Sequence, residues 1–238
     1  MINTKYLLLV SLLSISATSH ANLIFSEYVE GSSSNKALEI FNTGSAVDFD
    51  SGGYAVEIYS NGSSTSRYTI KLSGVINQNS AFVIGHNSAD SAISTVANLL
   101  SGSLTFNGDD AISLTYNGLI IDRIGQIGVD PGSEWGSGLL STQNNTLRRL
   151  PTIITGDINA VDNFDPSLQW LGFDNDVFAG LGDHDVVSPG QSTAQTVQPS
   201  VSAPEPASVL LLMLGLLPLL LGWLRSDQPV PLWHEKMC

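Results

Sequence analysis

The chain has 238 residues, 42% of them hydrophobic and 13% charged, with 9 basic against 22 acidic residues and a formal net charge of −13. That hydrophobic fraction excludes a disordered acidic chain. The acidic balance argues against a protein that grips phosphates through clustered Lys and Arg, and the length allows one domain or two small ones. The single cysteine, Cys238, excludes an internal disulfide framework and a Cys-rich zinc site.

Residues Met1–Ala21 open with Lys5, continue through the apolar run Tyr6–Ile15, and close on Ser19-His20-Ala21. A basic start, a short apolar stretch and small residues at −3 and −1 predict a secretory signal peptide cut between Ala21 and Asn22. The apolar stretch is too short to span hydrocarbon comfortably.

From residue 22 to residue 189 the pattern is β almost throughout. Leu23–Glu30 and Ala37–Asn42 alternate apolar and polar residues, and Tyr54–Tyr59 and Tyr68–Leu72 flank a loop containing Asn61-Gly62. Ala81–Gly85 suits a buried strand. Ala111–Tyr116 and Leu119–Ile124 enclose Asn117-Gly118, which predicts a type I′ hairpin in which Tyr116 faces Leu119 and Leu114 faces Ile121. Ser91–Leu100 is predicted to supply a helix or helical turn. Asp165–Leu171 is predicted to supply another, with Asp165 as N-cap and Pro166 at the first helical position. Short strands parted by Gly, Asn and Ser turns predict an all-β fold, an antiparallel sandwich.

Residues 190–203, rich in Ser, Thr, Gln and Pro and without charge, form a spacer. Ala207–Leu224 follows, eighteen residues without charge that contain Pro218. A helix of that length reaches about 27 Å, enough for a thin bilayer, so one C-terminal transmembrane helix is predicted. Pro204-Glu205-Pro206, then the apolar run, then Arg225 resembles the PEP-CTERM sorting signal of Gram-negative bacteria. The resemblance implies a sorting protease of the exosortase type, removal of the tail and delivery to the outer surface. Such signals usually end in an Arg cluster, whereas here Arg225 is followed by thirteen residues, 226–238. A membrane-anchored product therefore stays open as the alternative.

A second resemblance rests on Phe25–Gly31, Asn35–Asn42, Phe106–Ala111, Ile124–Gly136, Asn145–Arg149 and Phe164–Trp170, which recur in order. The stretch Leu23–His184 resembles a lamin-tail domain of the bacterial exported type. This implies an immunoglobulin-like β-sandwich. Such modules are often joined to a secreted endonuclease/exonuclease/phosphatase-type domain, but here the module runs straight into the spacer.

Catalytic and metal constellations are scarce. There is no Gly-x-Ser-x-Gly, no Gly-x-x-x-x-Gly-Lys and no His-Glu-x-x-His. His20 and His234 lie in segments expected to be removed, while His86 and His184 are expected in solvated loops. Asp109-Asp110 would point to opposite faces of a strand, so a turn-shaping role is expected rather than a shared ion. Arg148-Arg149 would likewise split across a strand, one pairing with a carboxylate and the other snorkelling or exposed. Seven Asp and no Lys or Arg occupy 157–185. Asp174-Asn175-Asp176 and Asp183-His184-Asp185 are the nearest approach to Ca²⁺ ligand pairs. Neither fits a spaced calcium loop, nor does Asp48–Gly52, and a solvated acidic rim is the preferred reading. Trp135 and Trp170 are expected in the core.

The expectation is therefore a non-catalytic exported module without cofactor, metal or catalytic residues, held at the membrane through residues 207–224 as a precursor. It would then be displayed at the cell surface or in the matrix for adhesion or scaffolding, with surface polysaccharide or protein as partner and nucleic acid disfavoured. The alternative is an accessory or remnant of a secreted nuclease whose catalytic domain is absent from this chain. The charge belongs wholly to residues 22–189, which hold 6 basic and 19 acidic residues.

Overall fold

A computed structural model describes residues 22–187, and strands dominate them. In chain order they are β1 (Leu23–Glu30), β2 (Lys36–Asn42), β3 (Val47–Asp48), β4 (Tyr54–Tyr59), β5 (Tyr68–Lys71), β6 (Val75–Ile76) and β7 (Ala81–Gly85). A short helix, α1 (Ser91–Ser94), precedes β8 (Leu99–Leu100), β9 (Ala111–Tyr116), β10 (Leu119–Ile124), β11 (Gly136–Ser137), β12 (Leu140–Ser141), β13 (Thr146–Arg149) and β14 (Trp170–Phe173). Ala21, the sorting residues Pro204, Glu205, Pro206 and Arg225, and the 207–224 span lie outside the described residues. Among the described residues no helix is long and apolar enough to cross a membrane.

A six-stranded sheet ordered β14-β13-β1-β2-β7-β8 faces a four-stranded sheet ordered β10-β9-β4-β5. All of their pairs are antiparallel except β7 with β8. One apolar cluster fills the space between them. Phe25, Tyr28, Leu38, Ile40, Phe82, Ile84, Leu147 and Trp170 come from the larger sheet, and Val56, Ile58, Ile70, Ile112, Leu114 and Ile124 from the smaller. The architecture is an antiparallel β-sandwich, as the spacing of strands and turns predicts. Trp135 and Trp170 are both buried.

The Asn117-Gly118 turn has positive φ at both residues, 50° and 75°, and places Tyr116 opposite Leu119. Beyond that pair the expected register fails. A bulge between Ile120 and Asp122 inserts Ile121 as an extra residue, so Asp122 rather than Ile121 stands opposite Leu114 on the core face. In β1 a second irregularity between Phe25 and Glu27 shifts the alternation. Leu23, Phe25 and Tyr28 therefore face the core, whereas Val29 joins a second apolar cluster with Ala37, Val83, Ile93 and Leu181. Strands β1 and β2 are buried along their whole length. This exceeds the half-buried state that their alternation predicts, because the sheet is covered on its outer face as well.

Two helical expectations shorten. Asp90 caps α1 by accepting from Ala92 N, but Leu99 and Leu100 are a strand that pairs with β7. Asp165 accepts from Ser167 N and Pro166 starts a single 3₁₀ turn, Pro166–Leu168, after which Trp170 and Leu171 enter β14. In both cases ladder hydrogen bonds to an existing sheet edge stabilise the strand more than a further isolated helical turn would.

Asp122, brought inward by its bulge, accepts from Phe25 N at 2.7 Å, Asp157 N at 2.8 Å and Arg149 Nη2 at 3.3 Å, and it is fully buried. Arg149, equally buried, lies 4.7 Å over the Trp170 ring. Asp122→Ala leaves a buried guanidinium and two N–H groups without their acceptor. The expected loss in urea unfolding is about 3–5 kcal/mol, and pairing Asp122→Leu with Arg149→Met should recover most of it.

Candidate functional site

The outer face of the six-stranded sheet carries charge where an apolar face is the norm. Glu27 and Glu39 are direct cross-strand partners on β1 and β2, both with no exposed surface. Arg148 on β13 donates from Nε to Glu27 Oε2 at 2.8 Å, and Glu39 Oε1 accepts from Ser26 Oγ at 2.6 Å. Burial pushes the Glu39 carboxyl up to about 7 against the opposing pull of its hydrogen bonds, with the neighbouring Glu27 charge adding to the rise. Burial also raises Glu27 despite its bond to Arg148.

Residues 174–187 cross this face as a strap of turns without a strand. Asp176 accepts from Ser32 N at 2.9 Å, Ser32 Oγ at 2.7 Å and Asn35 Nδ2 at 3.1 Å, which ties the strap to the β1–β2 turn. Phe178 and Leu181 pack into the second apolar cluster. Gly182 N donates to Glu39 Oε2 at 2.6 Å, and Val187 N donates to the Pro151 carbonyl at 2.9 Å. Gly180 lies flat on the Arg148 guanidinium: a Cβ there would stand 2.1 Å from Nη2 and 2.3 Å from Cζ. The other side of that guanidinium stacks on Phe173, 4.5 Å from the ring centroid.

His184 corrects the sequence reading. It is 8% exposed, set edge-on against Phe41 at 5.1 Å, and burial holds its pKa below the usual 6.5. The apolar packing of strap on sheet, invisible to local sequence, takes it out of the expected solvated loop. With Arg148, Asp183 and Asp185 it lines a cleft of about 280 Å³ at the end of the strap.

Several of the remaining charged residues also have structural partners. Arg148 and Arg149 do split across their strand, but both are paired, because each sheet face offers a buried carboxylate. The acidic stretch is likewise more than a solvated rim. Asp157 and Asp162 pair with the buried Arg123, whose Nη1 donates to the Gly125 carbonyl at 2.6 Å. Lys36 Nζ pairs with Glu30 Oε1 at 2.8 Å. Asp110 shapes its turn as expected, accepting from Asn107 N at 3.1 Å and Asn61 N at 3.0 Å. Asp48 caps the turn Phe49–Ser51 by accepting from Asp50 N. Among the described residues no three His, Cys, Asp or Glu side chains converge as metal ligands. Of the six basic residues between 22 and 187, Lys36, Arg123, Arg148 and Arg149 are in ion pairs, while Arg67 and Lys71 are exposed.

Residues 16–128 match the family described as Lamin Tail Domain. This segment is similar to a lamin tail domain. It contains β1 to β10, and so both bulges, the Glu27–Glu39 pair and Asp122, while the lamin-tail-like segment ends before Arg148, Arg149 and the strap. No curated protein and no solved structure matched the chain.

Sequence reading missed the Glu27–Glu39 juxtaposition. The signal it left is the broken alternation of Phe25-Ser26-Glu27-Tyr28, where apolar positions step from two apart to three apart. Gly180→Ala forces the guanidinium or the strap aside. It should cost about 1–3 kcal/mol in denaturant unfolding, more than a solvent-facing Gly→Ala exchange.

The buried carboxyls set a pH dependence. A folded-state pKa raised from 4.5 to about 7 means that the Glu39 contribution is fully present below 4.5 and lost as pH rises through 7, worth up to about 3 kcal/mol. Glu27, Asp110 and Asp122, each raised by burial, act in the same direction. His184 acts oppositely, its contribution being present above 6.5 and lost as pH falls. Because the Glu39 shift spans this window, while Asp176, lowered, acts only in the acid range, the urea midpoint of the full chain should be higher at pH 5.5 than at pH 8.

Proposed function

We propose that this protein is a non-catalytic, exported, lamin-tail-like module, sorted through its C-terminal signal and displayed at the cell surface or in the extracellular matrix for adhesion or scaffolding. The observation that carries this reading is the use of its chemistry-bearing side chains. Apart from His184, which packs on Phe41, the buried acids and bases pair with one another or hold backbone N–H groups, and among the described residues no three His, Cys, Asp or Glu side chains converge. The match to a lamin tail domain supports the same assignment.

Export is supported by the two address segments in the sequence and by the way the body begins. Asn22, the first residue after the expected cut, already belongs to the fold: its carbonyl accepts from Thr43 N at 2.9 Å and its side chain donates to the Ile154 carbonyl. A signal peptide ending at Ala21 would leave these contacts intact. The nuclease-accessory alternative needs a basic track for phosphates, whereas the described residues leave Arg67 and Lys71 as their exposed cations.

The test is expression of the full chain in a Gram-negative host with a sorting protease of the exosortase type. Intact mass of the surface product should show an N-terminus at Asn22 and loss of the segment after the Pro204-Glu205-Pro206 motif. Replacing Pro204, Glu205 and Pro206 by Ala should abolish protease-shaving accessibility on intact cells. A cytoplasmic, uncut product would overturn export, and metal-dependent DNA hydrolysis by the purified chain would overturn the non-catalytic reading.

A further inference from the structure

The strap over the outer sheet face is held mostly by a few point contacts. Its ties to the body are Asp176 on Ser32 and Asn35, Gly182 N on Glu39, Val187 N on the Pro151 carbonyl, Gly180 on Arg148, His184 on Phe41, and the apolar side chains Phe178 and Leu181. Beneath its centre lie two carboxylates on directly paired strands, with Arg148 as the cation that reaches them. Glu27 Oε1 is buried without a hydrogen-bond partner. Two ionised carboxylates against one guanidinium leave an uncompensated buried charge, and the simplest relief is water reaching the pair.

We propose that residues 174–187 are a pH-gated strap, closed over the Glu27–Glu39 pair while the pair holds a proton and released when both carboxyls ionise. The coupling runs through Gly182, whose N–H ends on Glu39 itself, and through Gly180, which covers the guanidinium that neutralises Glu27. Opening exposes the apolar patch Val29, Ala37 and Val83 together with the carboxylates. An alkaline shift thereby converts a covered sheet face into an acidic-rimmed apolar one.

The groups facing the pair are accounted for on each packed element. Glu27 comes from β1 and Arg148 from β13, while β7 presents the uncharged Val83 opposite Glu39. The strap contributes Asp174 and Asp176 at its start and Asp183, His184 and Asp185 at its far end. His184 opposes the gate on the acid side: buried in the closed form, it takes up a proton more readily once released, so falling pH favours opening through it. Closure is therefore greatest at mildly acidic pH.

The test is residue-resolved hydrogen exchange of the full chain, each rate divided by its intrinsic pH-dependent value. The reporters are the Leu181 and Gly182 amides in the strap, with Val56 and Leu114 in the smaller sheet as reference. With Glu39 held at about 7 when covered and lower when opened, strap opening rises from pH 5.5 to 8.5, by at most about thirtyfold in the limit where the opened carboxyl returns to 4.5. The His184→Gln variant should show the larger rise and the wild type a smaller one, with the reference amides moving less in both.

Glu39→Gln separates gating from simple support. It should raise strap protection at pH 8.5 at least tenfold above wild type, because it mimics the protonated carboxyl, whereas a merely structural carboxylate would give lower protection in the variant. Equal or lower protection in Glu39→Gln, or a pH-independent strap in His184→Gln, overturns the proposal. Should Glu39→Gln fail to fold, the His184→Gln profile decides alone.

Discussion

The contact between Asp122 and Arg149 sets the terms for the rest of this molecule. It joins the edge of the four-stranded sheet to the six-stranded one, and Asp122 accepts N–H groups from both β1 and the segment after β13. A buried ion pair contributes little to net stability, since desolvation offsets most of the attraction. Its effect lies in what it forbids. With Asp122 on the core face, β10 must keep its bulge, and β13 must present Arg149 inward and hence Arg148 outward. The charge on the outer face is thus a consequence of the charge within.

Once Arg148 is outward, Glu27 has a partner and the sheet's outer face cannot be a simple apolar surface. It needs a cover that satisfies carboxylates and also buries Val29, Ala37 and Val83. The strap meets the first need with glycines, Gly182 bringing a backbone N–H to Glu39 and Gly180 letting the chain lie on the guanidinium, and the second with Phe178 and Leu181. The part similar to a lamin tail domain holds the acidic halves of these arrangements. The basic halves and the strap come after it, so the sandwich is completed electrostatically by residues beyond the match.

This internal pairing shapes the outer surface. Four of six cations in the body are committed to carboxylates, so the excess of acid is displayed. An acidic surface favours solubility and repels anionic polymers.

Elements governed by neighbouring residues were legible from the sequence. Leu23–Glu30, Tyr54–Tyr59, Ala81–Gly85 and the Asn117-Gly118 hairpin appear with their expected bounds, because alternation and positive-φ turn residues act locally. The caps at Asp165 and the turn at Asp110 follow the same logic. What tertiary structure decided was register and burial. Both bulges depend on which partner strand is present, and the lengths of α1 and of the turn at Pro166 depend on sheet edges nearby. His184 and the Asp157–Asp185 stretch read as solvent-facing by composition. His184 is buried and Asp157 and Asp162 are paired because elements distant in sequence supply what meets them, Phe41 for His184 and Arg123 for the two carboxylates.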